Sequence, residues 1–321
     1  MSSDLKVIDL FSGIGGLSLG IQNAGFNVVL AVDNWKPAID IYEKNFSHPI
    51  MNIDLEDVDG SVKILKKFSP DIIVGGPPCQ DYSAAGKRDE EGGRANLTIS
   101  FAEIIGKLKP KYFIMENVDM ITRSKRYKQA LDMFKDCGYG LTAKTLDASF
   151  CGVPQKRKRH FVIGALDEND DFMLKIIERK VSFKPMTVRD YFGDSLGIDF
   201  YYRHPRNYNR RAVFSIDEPS PTIRGVNRPI PSGYSSHKND ANGDLSSVRP
   251  LTTKERSLIQ TFPRDFELIG SKTNIEQAIG NAVPVNLAKF VGDCLNEFIV
   301  YGCEQEPMLE QSQLAPVSEG L

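Results

Sequence analysis

Asp9-Leu10-Phe11-Ser12-Gly13-Ile14-Gly15-Gly16 closes one apolar run and opens an amphipathic one, so a strand gives way to a helix inside this stretch. Glycines at such a junction let the main chain approach a ligand closely, while the helix N-terminus faces it. Taken alone, the pattern also suits a merely tight turn. The next apolar run ends at Asp33, twenty residues after Gly13, where a carboxylate can accept both hydroxyls of a ribose. Asp54 follows a third short run, Ile50 to Ile53, and the same strand-end position lets it accept an adenine amino group. Together the three point to an adenosine-containing cofactor. The glycine pattern is GxGG preceded by Phe11 rather than GxGxxG, which tilts the choice towards S-adenosylmethionine over NAD.

The rhythm around this stretch sets the fold class. Strand-like runs at Lys6 to Phe11, Asn27 to Val32, Asp71 to Val74, Tyr112 to Met115 and His160 to Gly164 alternate with helical patterns at Leu17 to Ala24, Pro37 to Asn45, Gly60 to Phe68, Ile99 to Leu108 and Tyr127 to Cys137. That alternation predicts an α/β fold with a doubly wound, mostly parallel sheet whose ligands sit at the carboxyl ends of the strands. From about Lys184 the texture turns to Pro, Gly, Ser, Asn and Tyr, as expected for a second, smaller and irregular domain. Helical character returns at Thr252 to Thr261 and Val285 to Phe298, and Cys303 to Leu321 reads as a disordered tail. The expected division is residues 1–183 plus 262–302 for the larger domain and 184–261 for the smaller.

Composition excludes several classes. The chain has 321 residues, 40 basic and 42 acidic side chains and a net charge of −2, which fits neither a disordered chain nor a generic polyanion binder. No apolar stretch approaches the roughly 18 to 20 residues that cross a bilayer, and Asp4, Lys6 and Asp9 interrupt the place of a signal peptide, so a soluble cytoplasmic protein is expected. The five cysteines are widely spaced with no CxxC pair, and the four histidines have no partner at metal-ligand spacing, so no metal is expected. His160 reads as the start of a strand, and Cys151 as packing.

Gly75-Gly76-Pro77-Pro78-Cys79-Gln80 places a cysteine behind a stiff Pro-Pro segment at the carboxyl edge of the sheet. Glu116-Asn117-Val118 ends the following strand and brings Glu116 to the same edge. A thiol nucleophile beside a carboxylate that can exchange a proton suits covalent attack on a heteroaromatic ring. The bland alternatives are a small buried residue in a turn and a solvated strand end.

These segments resemble the DNA (cytosine-5) methyltransferase family, and in particular its compact bacterial restriction-modification members. DLFSGIGG at Asp9, GGPPCQDYS at Gly75, ENV at Glu116, GVPQKRKRHFVIG at Gly152, RPLTTKERSLIQTFP at Arg249 and GNAVPVNLA at Gly280 follow the family's order. The unmatched stretch, about Lys184 to Val248, lies where that family keeps its variable target-recognition domain. The resemblance implies that Cys79 attacks C6 of cytosine, that Glu116 contacts N3 and the exocyclic amine, and that Arg159, with Gln155 and Arg157, holds the ring or adjacent backbone. Water rather than a side chain is the expected base for the C5 proton. On the cofactor side, Phe11, Gly13, Ile14, Gly16, Asp33, Asp54, Pro77, Leu97, Asn281 and Val283 fall on family binding positions. Asp33-Asn34-Trp35 departs from the usual pattern and leaves open whether Asn34 or Trp35 covers the adenine. Tyr82 stands where Phe is usual before Ser83.

For the nucleic acid, double-stranded DNA is the expected partner, with Gln80, Ser83, Lys87, Arg88, Arg94, Gln155, Thr222, Arg224 and Arg228 as candidate contacts. The glycines and cations of 80–94 suit a loop that closes over a flipped cytosine, because C6 is unreachable inside a stacked duplex. Between Tyr201 and Arg264, eleven basic residues face five acidic ones, and Lys156-Arg157-Lys158-Arg159-His160 adds to that basic face. Thr222 and Arg224 lie in a Pro219-to-Gly225 element similar to the family's Thr-hydrophobic recognition element. A monomer is expected, with a cognate restriction endonuclease acting on the same site without stable association. The rival readings are an RNA cytosine-5 methyltransferase, which the missing Cys-Phe-Thr element disfavours, a catalytically silent DNA-binding module, and an NAD oxidoreductase.

Overall fold

The computed structural model describes residues 4–78, 96–207, 210–242 and 244–302. Cys79, Gln80, Ser83, Lys87, Arg88, Arg94, the expected closing loop and the expected 303–321 tail lie outside the described residues.

Strands β1 (Lys6–Leu10), β2 (Asn27–Asp33), β3 (Ile50–Asn52), β4 (Ile72–Gly75), β5 (Tyr112–Val118), β6 (Tyr139–Asp147) and β8 (Lys158–Leu166) form one sheet in the order β3-β2-β1-β4-β5-β8-β6. The first five pair in parallel, and β8 runs antiparallel to both β5 and β6. Parallel strands are covered on both faces, which is why β4 reads as a continuous apolar run and β1 as one broken inside only by Asp9. Successive side chains nonetheless go to opposite faces. Val7, Val74 and Ile114 join one core, while Ile8, Ile73 and Phe113 join the other.

The first face is covered by α1 (Gly16–Asn23) and, from the far end of the chain, α10 (Val285–Tyr301). These helices touch through small residues: a Cβ on Gly20 would lie 2.4 Å from Ala288 Cβ, and one on Gly292 would lie 2.6 Å from Ala24 Cβ. The second face is covered by α3 (Val58–Leu65), α4 (Asn96–Leu108) and α5 (Lys125–Asp136), through residues such as Leu65, Phe101 and Phe134. Helix α2 (Lys36–Asn45) contributes Ala38 and Ile41 to a third core shared with Val188, Tyr201, Leu251 and Phe262.

After α6 (Leu174–Lys180) and α7 (Val188–Phe192), β9 (Phe200–Tyr202) pairs antiparallel with β10 (Val213–Ser215) and parallel with β12 (Arg249–Pro250). Around these short strands Tyr202, Ala212, Val213 and Val248 form a small core of their own. This segment is stitched to the main body where β11 (Ser220–Pro221) pairs with β7 (Gln155–Lys156), and α8 (Thr253–Ile259) and α9 (Lys272–Asn281) return the chain to α10. Among the described residues no helix is long and apolar enough to cross a membrane.

The chain builds β3-β2-β1 outward in one direction and β4-β5 in the other, so the order reverses between β1 and β4. Open α/β sheets bind ligands at that crevice, beyond the carboxyl ends. The DLFSGIGG and GGPPCQ stretches are the continuations of those two strands.

Candidate active site

The turn after β1 is wound tightly: Phe11, Gly13 and Gly15 all have positive φ, at 58°, 56° and 89°. Glycine takes that conformation freely, whereas Phe11 is strained in it. Asp33 at the end of β2 holds the turn in place. Its Oδ2 accepts from Gly13 N at 2.8 Å, and its Oδ1 accepts from Trp35 N at 2.8 Å. Burial raises the Asp33 pKa, and those two backbone bonds oppose the rise. Each carboxylate oxygen has two lone pairs, so acceptor capacity remains on both.

A Cβ on Gly13 would meet nothing within 4 Å, which leaves open space over the turn beside Asp33. Gly16 is the opposite case, since a Cβ there would lie 2.1 Å from the Val283 carbonyl oxygen. That close approach brings the segment ahead of α10 against the start of α1. Ile14 is buried with Ala38 and Ile41, and Leu97 is buried in the second core. Trp35 is half-buried against the third core, while Asn34, Asp54 and Asn281 are exposed. Asp54 Oδ1 accepts from Glu56 N at 3.0 Å, and Asn281 Oδ1 accepts from Gln277 Nε2 at 2.9 Å.

Beyond β4, Pro77 is buried and its carbonyl accepts from Asn117 Nδ2 at 2.8 Å. Asn117 Oδ1 in turn accepts from Val118 N at 2.9 Å, so the end of β5 fixes the segment that leads to Cys79. Asn117 was legible only as part of the Glu-Asn-Val stretch. Glu116 is 8% exposed and pairs with Arg159, whose Nε stands 2.8 Å from Glu116 Oε1. A Cβ on Gly76 would lie 3.1 Å from Glu116 Oε2, so the carboxylate also abuts the segment leading to Cys79. Burial raises the Glu116 pKa, and the Arg159 and Arg157 charges oppose it.

Gln155 and Arg157 depart from expectation. Gln155 has no exposed surface: its Nε2 donates to Gln260 Oε1 at 2.8 Å and its Oε1 accepts from Ile223 N at 2.8 Å. Arg157 is 1% exposed, and its terminal nitrogens donate to the carbonyls of Ile223, Gly280 and Ala282, each at 3.0 Å. Both side chains tie the 220–225 segment to the main body. Burial alternates along this run, with Lys156 and Lys158 exposed and Gln155 and Arg157 buried. Thr222 Oγ1 donates to the Lys156 carbonyl at 2.7 Å, Arg224 donates to the His204 carbonyl, and Arg228 is exposed.

A buried polar line under the glycine turn went unread in the sequence. Ser18 donates to Asp9 Oδ2, Tyr42 donates to Ser18 Oγ at 2.7 Å, and Tyr42 Oη lies 2.6 Å from His48 Nε2. With the Tyr42 proton committed to Ser18, His48 Nε2 is the donor of that last bond. The one available signal was a charged residue, Asp9, inside an otherwise apolar strand.

An open sheet of this order, with a glycine-rich turn and a strand-end carboxylate at its switch point and a second carboxylate–arginine pair alongside, defines an α/β methyltransferase. The chain belongs to the C-5 cytosine-specific DNA methylase family, which matches residues 5–297. It is 58% identical over 305 residues to the Type II methyltransferase M.HindV of Haemophilus influenzae, covering 95% of this chain and 99% of that protein. It is 55% identical over 312 residues to the Type II methyltransferase M.HgiDI of Herpetosiphon aurantiacus, covering 97% and 99%. Among solved structures, the S. pombe Dnmt2 methyltransferase superposes with a TM-score of 0.68 at 18% identity, covering 92% of this chain and 99% of that one. The protein is a cytosine-C5 DNA methyltransferase, and its relatives place it with the restriction-modification type.

Proposed function

We propose that this enzyme transfers a methyl group from S-adenosylmethionine to C5 of a cytosine within one short double-stranded DNA sequence, protecting host DNA from a cognate restriction endonuclease. The observation that carries the reading is the Glu116–Arg159 pair seated against Gly76, three residues ahead of Cys79 and on the same sheet edge as the glycine turn. The open space over Gly13 beside Asp33 suits a ribose-bearing cofactor. Phe11, Gly13, Ile14, Gly16, Asp33, Asn34, Trp35, Asp54, Pro77, Leu97, Asn281 and Val283 are the residues that would hold it. When bound, the cofactor supplies an electrophilic methyl group.

Cys79 bonds through sulfur to C6 of an extruded cytosine, and Glu116 hydrogen-bonds N3 and the exocyclic amine. Arg159 orients Glu116 and holds the ring. Charge delivered to the ring makes C5 nucleophilic enough to take the methyl group. Water then removes the C5 proton, and expulsion of the Cys79 thiolate restores the aromatic ring. Residues 1–183 with 262–302 carry this chemistry, and 184–261 reads the sequence. The enzyme acts as a cytoplasmic monomer.

Genome-wide methylation sequencing in a methylation-deficient host tests the reading. The expected result is one short motif carrying 5-methylcytosine with the wild-type protein and none with Cys79→Ala. An unmodified genome with both would overturn it.

A further inference from the structure

The arginines of the 184–261 segment fall into two electrostatic groups. Arg189 pairs with Asp194, Asp199 and Asp217, Arg211 with Glu218, and Arg249 with Glu255. Arg203, Arg206, Arg224 and Arg228 have no carboxylate within ion-pair distance among the described residues. They nonetheless sit together. Arg203 donates to the Thr222 carbonyl at 2.8 Å and Arg224 donates back to the His204 carbonyl, so two arginines clasp the loop after β9 to the turn after β11. A small hollow between these segments is lined by Arg203, His204 and Arg224, with Tyr201, Tyr202 and Arg256 behind them. Arg224, Arg206 and Arg256 are among the charges that bear on Arg203, as Tyr201 is, and Arg228 and Arg224 bear on His204. Among the described residues only Arg256 of this group has a counter-charge, from Glu276.

We propose that Arg203, Arg206, Arg224 and Arg228 form a phosphate seat that grips one strand of the duplex and sets the register of the recognition segment, without reading bases itself. This rests on the DNA reading given above. Guanidinium groups only donate, so the seat fits a partner that only accepts. A duplex offers such partners in its phosphate oxygens, in the major-groove edge of guanine and in the minor-groove acceptors of A·T pairs, and the base edges, guanine included, carry no net charge. Four clustered positive charges without carboxylates repel one another in the free protein. A phosphate relieves that repulsion, whereas an uncharged base edge does not. Arg203 and Arg224 are already held by carbonyls, so they form a fixed floor, and the exposed Arg206 and Arg228 are the movable arms.

The test measures binding of the full chain to two duplexes of equal length, one bearing the mapped target and one lacking it, across a salt series. The variants are Arg206→Gln, Arg228→Gln and the double substitution. Both side chains are exposed, and an unchanged thermal midpoint verifies the fold. The expected result is weaker binding by the same factor on both duplexes, with the slope of log affinity against log salt shallower by roughly 0.9 per arginine removed. Loss confined to the target duplex would overturn the seat in favour of base reading, and an unchanged slope would overturn it outright. The wild type is measured first: if it binds neither duplex, the DNA reading itself fails, and the seat with it.

Discussion

Arg159 Nε stands 2.8 Å from Glu116 Oε1, although in the β5–β8 register the residue opposite Arg159 is Val118 and the residue opposite Glu116 is Phe161. The pair is therefore diagonal, and both side chains are largely buried. Removing one partner strands the other charge. Arg159→Gln should cost about 3 to 5 kcal/mol of stability and raise the Glu116 pKa further. Turnover should fall by roughly a hundredfold or more, with cofactor affinity little changed. Single-turnover methylation beside calorimetric cofactor titration checks this, and near-normal turnover would remove the pair from the mechanism.

Arg157 behaves differently because its bonds go to three backbone carbonyls on two segments, Ile223 after β11 and Gly280 and Ala282 at the end of α9. Arg157→Met should lower folding stability by about 3 kcal/mol or more, since three buried acceptors lose their donor. Activity per folded molecule should fall far less than in Arg159→Gln. Urea unfolding paired with active-site titration separates the two effects. A large kinetic loss without destabilisation would return Arg157 to the substrate.

Asp33 links the turns after β1 and β2, so Asp33→Ala frees both Gly13 N and Trp35 N. Affinity for S-adenosylmethionine should fall at least tenfold, while DNA affinity stays within about twofold, reflecting one or two lost charge-assisted hydrogen bonds. Calorimetry with the cofactor alone and with DNA alone distinguishes this from general unfolding.

Asp9 gives a pH dependence. Burial pushes its carboxyl up to about 7, against 3.8 for the ordinary group. Between those values the folded protein keeps a proton that the unfolded chain has released. The contribution of this group to stability is thus full at low pH and falls as pH rises towards 7, by about 4 kcal/mol in all. Asp9→Asn should flatten that limb. Urea midpoints from about pH 5 to about pH 8 provide the measurement, and parallel slopes in wild type and variant would contradict it.

Much of this was legible in the sequence where one signal dominated. Strands β1 and β4 are buried on both sides and read as apolar runs, and glycines at 13, 15 and 16 marked the turn because few other residues fit there. Strand β6 was missed: Gly140, Thr142 and Lys144 interrupt its pattern, and its hairpin with β8 supplies the order that local sequence does not. Helix α9 was missed for a similar reason, since Asn274, Gly280 and Asn281 weaken its helical preference. The basic run 156–160 misled most. As a list of charges it was one face, whereas Arg157 is buried under backbone carbonyls and His160, on the other face of β8, is buried where its Nε2 meets Tyr127 Oη at 2.7 Å.

The Val283 carbonyl lying against Gly16, with α10 locked onto α1 through Gly20 and Gly292, has a consequence for how the molecule comes into being. Helix α1 finds this partner only when α10 has emerged from the ribosome. Until then its apolar side is bare and the cofactor turn lacks a wall. Synthesis order therefore delays methylation competence until α10 has been made.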